Sequence, residues 1–413
     1  MAKTIDEDAF VGLFTTGQRV YVGGSSNEPV GLIDIICSRS VSGVTFIQQP
    51  LVINERDLSS IGVDCRQVTF FMTPALREGY AAGRVQFIPM QMRAIYDYIA
   101  RDKIDIALLQ VARDVNGELR FGPNIDYTEA ALTSASTVVL QVNPSLTAPL
   151  KCPLVDMDAP FLLVEAESPK QIYPETKVDE TSQQIGSLVA TLIADGDCLQ
   201  TGIGAVPAAI LGDLENRTDL GFHGGLIDDG VMNLVKNGNL TGACKAIDQG
   251  LHVAGMALGS EALLDWITQE SSLEFRSANY THEVGVIRQL DNFVSVNSAV
   301  EVDLWGQVNA ELVGGRQISG TGGSVDFMRA AKASKGGRSI VAMTATARKG
   351  QVSRIVPDVE MVTALRTDVD MVVTEFGVAR LKDASLEDRA LQLIEIAHPS
   401  FRDQLRDEFK KRR

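Results

Sequence analysis

The chain has 413 residues, 45% hydrophobic and 22% charged, which allows two or three well-buried domains of ordinary globular composition. Its formal net charge of −15 argues against nucleic acid or an anionic membrane as partner, because both repel it at long range. The five cysteines, Cys37, Cys65, Cys152, Cys198 and Cys244, are scattered with no C-x-x-C, which predicts buried thiols in a reducing compartment and neither a disulfide framework nor a zinc site. The N-terminus is acidic without an apolar leader, and no apolar run approaches the ~18 residues of a membrane span, so a cytoplasmic enzyme is expected.

Strand-like and helix-like segments alternate along the whole chain, predicting α/β layers on largely parallel sheets. In the first part, strands are expected at Arg19–Val22, Val44–Phe46, Val68–Phe71, Ile104–Leu109 and Val138–Val142. Helices are expected between them at Val30–Ser38, Pro74–Ala82, Gln91–Arg101 and Tyr127–Ser134. Residues 144–178 carry several prolines and little periodicity, and the domain boundary is placed there, giving domains 1–175 and 176–413. A helix over Asp179–Ala194 then leads to the run Cys198-Leu-Gln-Thr-Gly-Ile-Gly-Ala-Val-Pro207. Later strands are expected at Leu220–His223, His252–Ala257, Phe293–Asn297, Ser339–Thr344 and Met371–Thr374. The later helices fall at Val231–Lys236, Ala262–Thr268, Leu386–Ala397 and Phe401–Lys410, and the basic end Lys410–Arg413 reads as a frayed helix terminus.

Three glycine clusters carry the candidate chemistry. The first is a strand that feeds the helical pattern Ala205–Leu214 through Gly202 and Gly204. Such a turn exposes backbone N–H groups at a helix start, where they can hold a phosphate, or it is simply a tight junction. Pro207 stands where the third glycine of a dinucleotide fingerprint would fall. Tyr21-Val22-Gly23-Gly24, leading through Glu28-Pro29 into a helix, echoes this plan and suggests two halves built alike, facing a shared cleft. In the second cluster, Leu220-Gly-Phe-His223-Gly224-Gly225, a histidine at a strand end is either structural or catalytic. Its spacing to Asp228 and Asp229 matches no metal site. The third, Gly314–Phe327, holds five glycines in ten residues and reads as a loop whose amides line an anion or oxyanion site, or else as a surface loop. Glu301 follows the strand that ends at Asn297, as a site residue or a satisfied hydrogen-bond acceptor.

Thr201-Gly-Ile-Gly-Ala-Val-Pro207, Leu220-Gly-Phe-His223, Asp229-Gly-Val231, Asn297-Ser-Ala-Val-Glu-Val-Asp303 with Gly306-Gln-Val-Asn309, and Gly314-Gly-Arg-Gln-Ile-Ser319 together resemble the acetyl-CoA hydrolase/transferase family, which includes the 4-hydroxybutyrate and acetate CoA-transferases. Val373–Gly377 and Ile396–Pro399 resemble its C-terminal segments, and Asp126–Thr128 and Val142–Pro144 its N-terminal domain. The resemblance implies two open α/β domains of CoA-transferase type, coenzyme A or acyl-CoA as substrate without a metal, a carboxylate partner and at least a homodimer. It carries CoA contacts onto Gly202, Ile203, Gly204, Ala205, Val206, Val300, Ser319 and Gly323, with the Gly323 N–H polarising the thioester carbonyl.

One position departs from the family. Its transferases carry a glutamate two residues after the histidine, which becomes a glutamyl–CoA thioester; here that segment reads His223-Gly224-Gly225, and glycine has no carboxylate. The favoured expectation is therefore an acyl-CoA hydrolase, cleaving a thioester or the carbon–carbon bond of a β-keto acyl-CoA. Water would replace the nucleophile, and His223, Glu28 and Glu301 are candidate general bases. The alternatives are CoA transfer with a carboxylate from elsewhere and a non-catalytic CoA-binding protein. A dehydrogenase on Gly202–Gly204 ranks behind the other enzymes, because the next strand ends in His223-Gly224-Gly225 instead of an acidic residue. Lys335, Arg338, Arg348 and Lys349 are candidates for the CoA phosphates or are merely solvated.

Overall fold

The structure, a computed structural model, describes residues 1–39, 41–174 and 176–412. It divides into two compact units, Met1–Pro174 with Val253–Thr281, and Glu175–His252 with His282–Arg413. The boundary expected at residue 175 falls on Glu175, which lies outside the described residues, as do Ser40 and Arg413 of the basic end. The segment Val253–Thr281 joins the first unit from well beyond that boundary.

Among the described residues, the first unit is built on a nine-stranded sheet. Its order runs Lys3–Thr4, Leu162–Glu165, Ala135–Thr147, Ile104–Arg113, Arg19–Val22, Thr45–Gln48, Arg66–Thr69, Val85–Phe87, with Leu119–Phe121 antiparallel on Ile104–Arg113 and all other pairs parallel. Strands covered on both faces read as nearly unbroken apolar runs, as Ile104–Arg113 does. Leu32, Ile33 and Ile36 of the helix Val30–Arg39 close one face over Val20, Val22, Phe46 and Leu108. Leu162–Glu165 was not foreseen, because its short Leu-Leu-Val run is masked by flanking prolines; it pairs in parallel with Val139–Val142.

The second unit carries a six-stranded sheet, in the order Gly221–Phe222, Cys198–Thr201, Phe293–Asn297, Arg338–Ala342, Met371–Thr374, Gly377–Arg380. The first five are parallel and the last is an antiparallel edge. Both units are thus α/β domains on largely parallel sheets. Other elements differ in extent from the expectations. Pro74–Ala82 splits into a 3₁₀ turn and the helix Arg77–Ala81, and the helix from Glu180 stops at Ala190. His252–Ala257 breaks into His252–Ala254 and Met256–Ala257, because Gly255 interrupts it. Cys65, Cys152 and Cys198 are buried thiols, whereas Cys37 and Cys244 are exposed.

Where the first unit echoes the second, the turn after Arg19–Val22 is longer and held by side chains. Asn54 accepts from Ser25 N and Leu51 N, each at 2.8 Å, and donates to Ser25 O at 3.1 Å. Asn124 donates to Gly24 O at 3.0 Å, and a Cβ at Gly24 would lie 2.1 Å from Gln49 O, so only glycine fits there.

Close by in the first unit, Asp126 is buried, its Oδ1 meets no hydrogen-bond partner among the described residues, and this burial pushes its carboxyl up to about 8. A carboxyl raised in the folded state favours folding in acid, and that contribution is lost as pH rises from the unfolded value near ~4 through about 8. In urea unfolding, the stability of the parent protein relative to Asp126→Asn will fall steadily across that window; a pH-independent difference refutes the assignment.

Candidate functional site

In the second unit the five parallel strands all end on one edge, so the segments that follow them are brought side by side. After Cys198–Thr201 comes the first glycine turn, half-buried from Gly202 to Val206. Gly204 has φ +119° and caps the helix Ala205–Gly212 with no side-chain hydrogen bond, leaving the first amides of that helix to other acceptors. A Cβ on Gly202 or Gly204 would meet nothing within 4 Å, so the protein itself does not fill the space over this turn. Thr201 Oγ1, buried just before it, has no hydrogen-bond partner among the described residues. Open amides, glycine surfaces and an orphaned hydroxyl fit a ligand with phosphate or amide groups.

The strand Gly221–Phe222 leads to His223-Gly224-Gly225 at the same edge. Buried Lys245 grips this strand, donating to Phe222 O at 3.1 Å and Leu251 O at 2.7 Å, and burial lowers its pKa. His223 is 0% exposed, edge-on to Phe293 with ring centroids 6.5 Å apart, so its imidazole lies in the core and not in open solvent. Sequence reading passed over a second histidine here. His282 is buried, 4.6 Å between centroids from the Phe327 ring, and burial lowers its pKa to about 3. A Cβ on Gly225 would lie 3.1 Å from its Nε2, and one on Gly323 only 2.5 Å away. The second and third glycine clusters therefore meet around one neutral ring.

The third cluster serves two purposes, where a single loop was expected. Gly314 and Gly315, at φ +56° and +73°, form the two-residue turn of a hairpin between Leu312–Val313 and Arg316–Gln317. Only its later part, Gly320 to Gly323, leads into the helix Ser324–Ala333, which Gly323 caps without a side-chain hydrogen bond. Ser319 is half-buried at the start of that part, its Oγ bonded to Gly320 O at 3.2 Å. Glu311, also unforeseen, ties the loop down by accepting from Thr321 Oγ1 at 3.3 Å and Thr363 Oγ1 at 2.8 Å.

Between these turns, Phe293–Asn297 is followed by Ala299 and Val300, whose carbonyls both accept from the half-buried Arg354 guanidinium, Val300 at 2.7 Å from Nε. The Val300 N–H is already committed to Asn309 O at 2.8 Å. Glu301 accepts from Asn309 Nδ2 at 3.0 Å and Glu360 N at 2.9 Å, as a structural acceptor does. Glu28 belongs to the first unit; it is 3% exposed, accepts from Gln48 Nε2 at 2.7 Å, and has its pKa raised by desolvation. Arg338 is removed from the phosphate candidates: at the opposite, amino end of its strand, it pairs with Asp197 and donates to Leu192 O at 2.7 Å. Lys335 precedes that same end, 3.7 Å from Asp291. Arg348 and Lys349 stay exposed beyond the carboxyl end of the strand Arg338–Ala342. Among the described residues no cluster of three His, Cys, Asp or Glu is placed to hold a metal ion, and no helix is long and apolar enough to cross a membrane.

Two open α/β units, the second with glycine-lined turns at the carboxyl ends of its strands, define a class of small-molecule enzyme site. The profile of the acetyl-CoA hydrolase/transferase N-terminal domain matches residues 1–151 and that of the C-terminal domain residues 259–409. The 4-hydroxybutyrate coenzyme A transferase of Clostridium kluyveri is 36% identical over 99% of this chain and 98% of its own. RipA of Yersinia pestis superposes with a TM-score of 0.92 at 30% identity, covering 99% of this chain and 97% of that one. An acetyl-CoA hydrolase of Neurospora crassa is 25% identical over 81% of this chain and 73% of its own. The chain belongs to the acetyl-CoA hydrolase/transferase family and is an enzyme of acyl-CoA chemistry.

The two glycine positions make opposite predictions. Gly202→Ala adds a methyl where nothing stands within 4 Å, so stability will change by no more than about 0.5 kcal/mol, while a coenzyme A seated over this turn would lose at least about tenfold in affinity. Gly323→Ala drives its methyl to 2.5 Å from His282 and 2.9 Å from Phe327, and overpacking will cost about 1–3 kcal/mol in denaturant unfolding. Unchanged affinity in the first variant, or unchanged stability in the second, contradicts this picture.

Proposed function

We propose that the protein binds an acyl-CoA through Gly202, Ile203, Gly204, Ala205, Val206, Val300, Ser319 and Gly323, and hydrolyses its thioester. The Gly323 amide polarises the carbonyl, water adds to the carbonyl carbon, and the C–S bond breaks. The products are a carboxylate, one released proton and the coenzyme A thiol. One observation carries hydrolysis over transfer. Residue 225 is glycine, with no carboxylate to form an acyl anhydride or a CoA thioester, and His282 Nε2 would lie 3.1 Å from any Cβ placed there. Turns open to solvent at Gly202 and Gly204 support the CoA contacts. The Val300 N–H is engaged, so that residue contributes its side chain and not its amide. Of the candidate bases, Glu301 and His223 are held in structural surroundings, and Glu28 of the first unit is buried and accepts from Gln48 Nε2 at 2.7 Å, so no particular side chain is assigned the proton. Family likeness supports a cytoplasmic homodimer or larger homo-oligomer acting without a metal.

The second reading is CoA transfer between carboxylic acids with a carboxylate supplied from elsewhere in the chain, favoured by the 36% identity to a transferase. Acetyl-CoA offered with and without propionate separates the two. Hydrolysis gives free coenzyme A at a rate indifferent to propionate, and no coenzyme A adduct by intact mass. Formation of propionyl-CoA, or a borohydride-sensitive adduct, establishes transfer instead.

A further inference from the structure

A buried imidazole has no part in the reaction described above, yet it lies against both the Gly225 turn, which lacks a nucleophile, and the Gly323 turn that polarises the carbonyl. His282 is 1% exposed, and its Nε2 lies on the side of Gly225 and of Gly323 where an L-residue would project its Cβ. The Phe327 ring backs it, centroids 4.6 Å apart and tilted by 43°, and Phe293 stands next in the stack, 6.4 Å from Phe327. Phe327 sits one turn into the helix that Gly323 caps, with its N–H bonded to Gly323 O at 3.1 Å. Ring, helix start and glycine turn are therefore one packed unit, and the ring cannot shift without moving the turn.

We propose that His282 is a positioning residue of the acyl-CoA site: its imidazole sets the Gly323 amide against the substrate carbonyl and occupies the volume beside Gly225 that a nucleophilic side chain would need. The assignment rests on the acyl-CoA reading of the Gly202 and Gly323 turns. A neutral ring suits this place. Burial keeps His282 uncharged at neutral pH, so the ring packs against the turn without placing a charge in the core. Its effect falls on the carbonyl-facing amide, which the nucleotide end of coenzyme A does not share.

The test compares coenzyme A, which has no acyl carbonyl, with the ketone analogue of acetyl-CoA in which methylene replaces the thioester sulfur. By calorimetry, His282→Ala will bind the ketone at least tenfold more weakly while coenzyme A affinity stays within threefold. His282→Gln, whose terminal amide reaches the Nε2 position, will recover the ketone to within threefold. Equal losses for both ligands mean a structural role only, and no loss for either means no role; both overturn the assignment. If His282→Ala does not fold, Gly225→Ala is decisive, since its methyl presses on Nε2 at 3.1 Å and must lower ketone affinity selectively. Failure of the parent protein to bind coenzyme A at all removes the acyl-CoA reading itself, whereas binding with no selective loss removes only the role of His282.

Discussion

Parallel strands all end on the same edge, and this constraint organises the second unit. Cys198–Thr201 pairs in register with Phe293–Val296, Val294–Asn297 with Arg338–Val341, and Ile340–Ala342 with Met371–Val373, so each following segment leaves the sheet at nearly one level. Covered on both faces, these strands have little room for polar side chains, and those present must satisfy one another. Gln200 Oε1 accepts from Ser295 Oγ at 2.9 Å and Asn297 Nδ2 at 3.1 Å, stitching two strands just beneath the glycine turn. The first unit uses the same device, with Gln110 Oε1 accepting from Gln141 and Asn143 at 3.1 and 2.9 Å. Amide cross-links of this kind fix strand ends without placing charge in the core.

What could be read from the residue pattern is what depends on near neighbours in sequence. Phe293–Asn297 and Met371–Thr374 match their expected spans, because continuous apolar runs between polar turns have few other fates. The glycines marked the turns of the site, but not which of them line it. Gly314-Gly315 is a hairpin turn, and its pairing depends on a register that the loop composition conceals. His282, Arg354 and Lys245 gave no local signal at all. Each acts on a turn distant in sequence, and an isolated buried cation or imidazole looks, in a sequence, like any surface residue. Arg338 erred in the other direction: proximity to the glycine loop along the chain suggested the site, while strand direction places it at the far end.

An acidic protein that holds an anionic ligand needs local positive potential, and its cations here are largely spent on the fold. Lys245 is buried against carbonyls, and the half-buried Arg354 and Arg338 are engaged with carbonyls and with Asp197. Beside the exposed Arg348 and Lys349, a further source is the peptide group itself, through amides exposed where glycine allows close approach and a helix begins. Such dipoles are fixed by the backbone and cost no reorganisation when charge develops in a reaction. Their strength depends on geometry, and so on whatever prevents the turn from relaxing.

That dependence gives the pairing of a glycine with a histidine its meaning. A glycine turn alone is permissive, able to adopt many conformations, and a permissive turn is a poor oxyanion site. Packing His282 and Phe327 against Gly323 removes that freedom from one side. On the proposed reading, the same ring closes the space at Gly225, so one residue both fixes the electrophilic amide and leaves water as the attacking group. Nucleophile and support would then be a single choice: a side chain at 225 requires the imidazole to move, and the imidazole cannot move without releasing the amide that makes the carbonyl reactive.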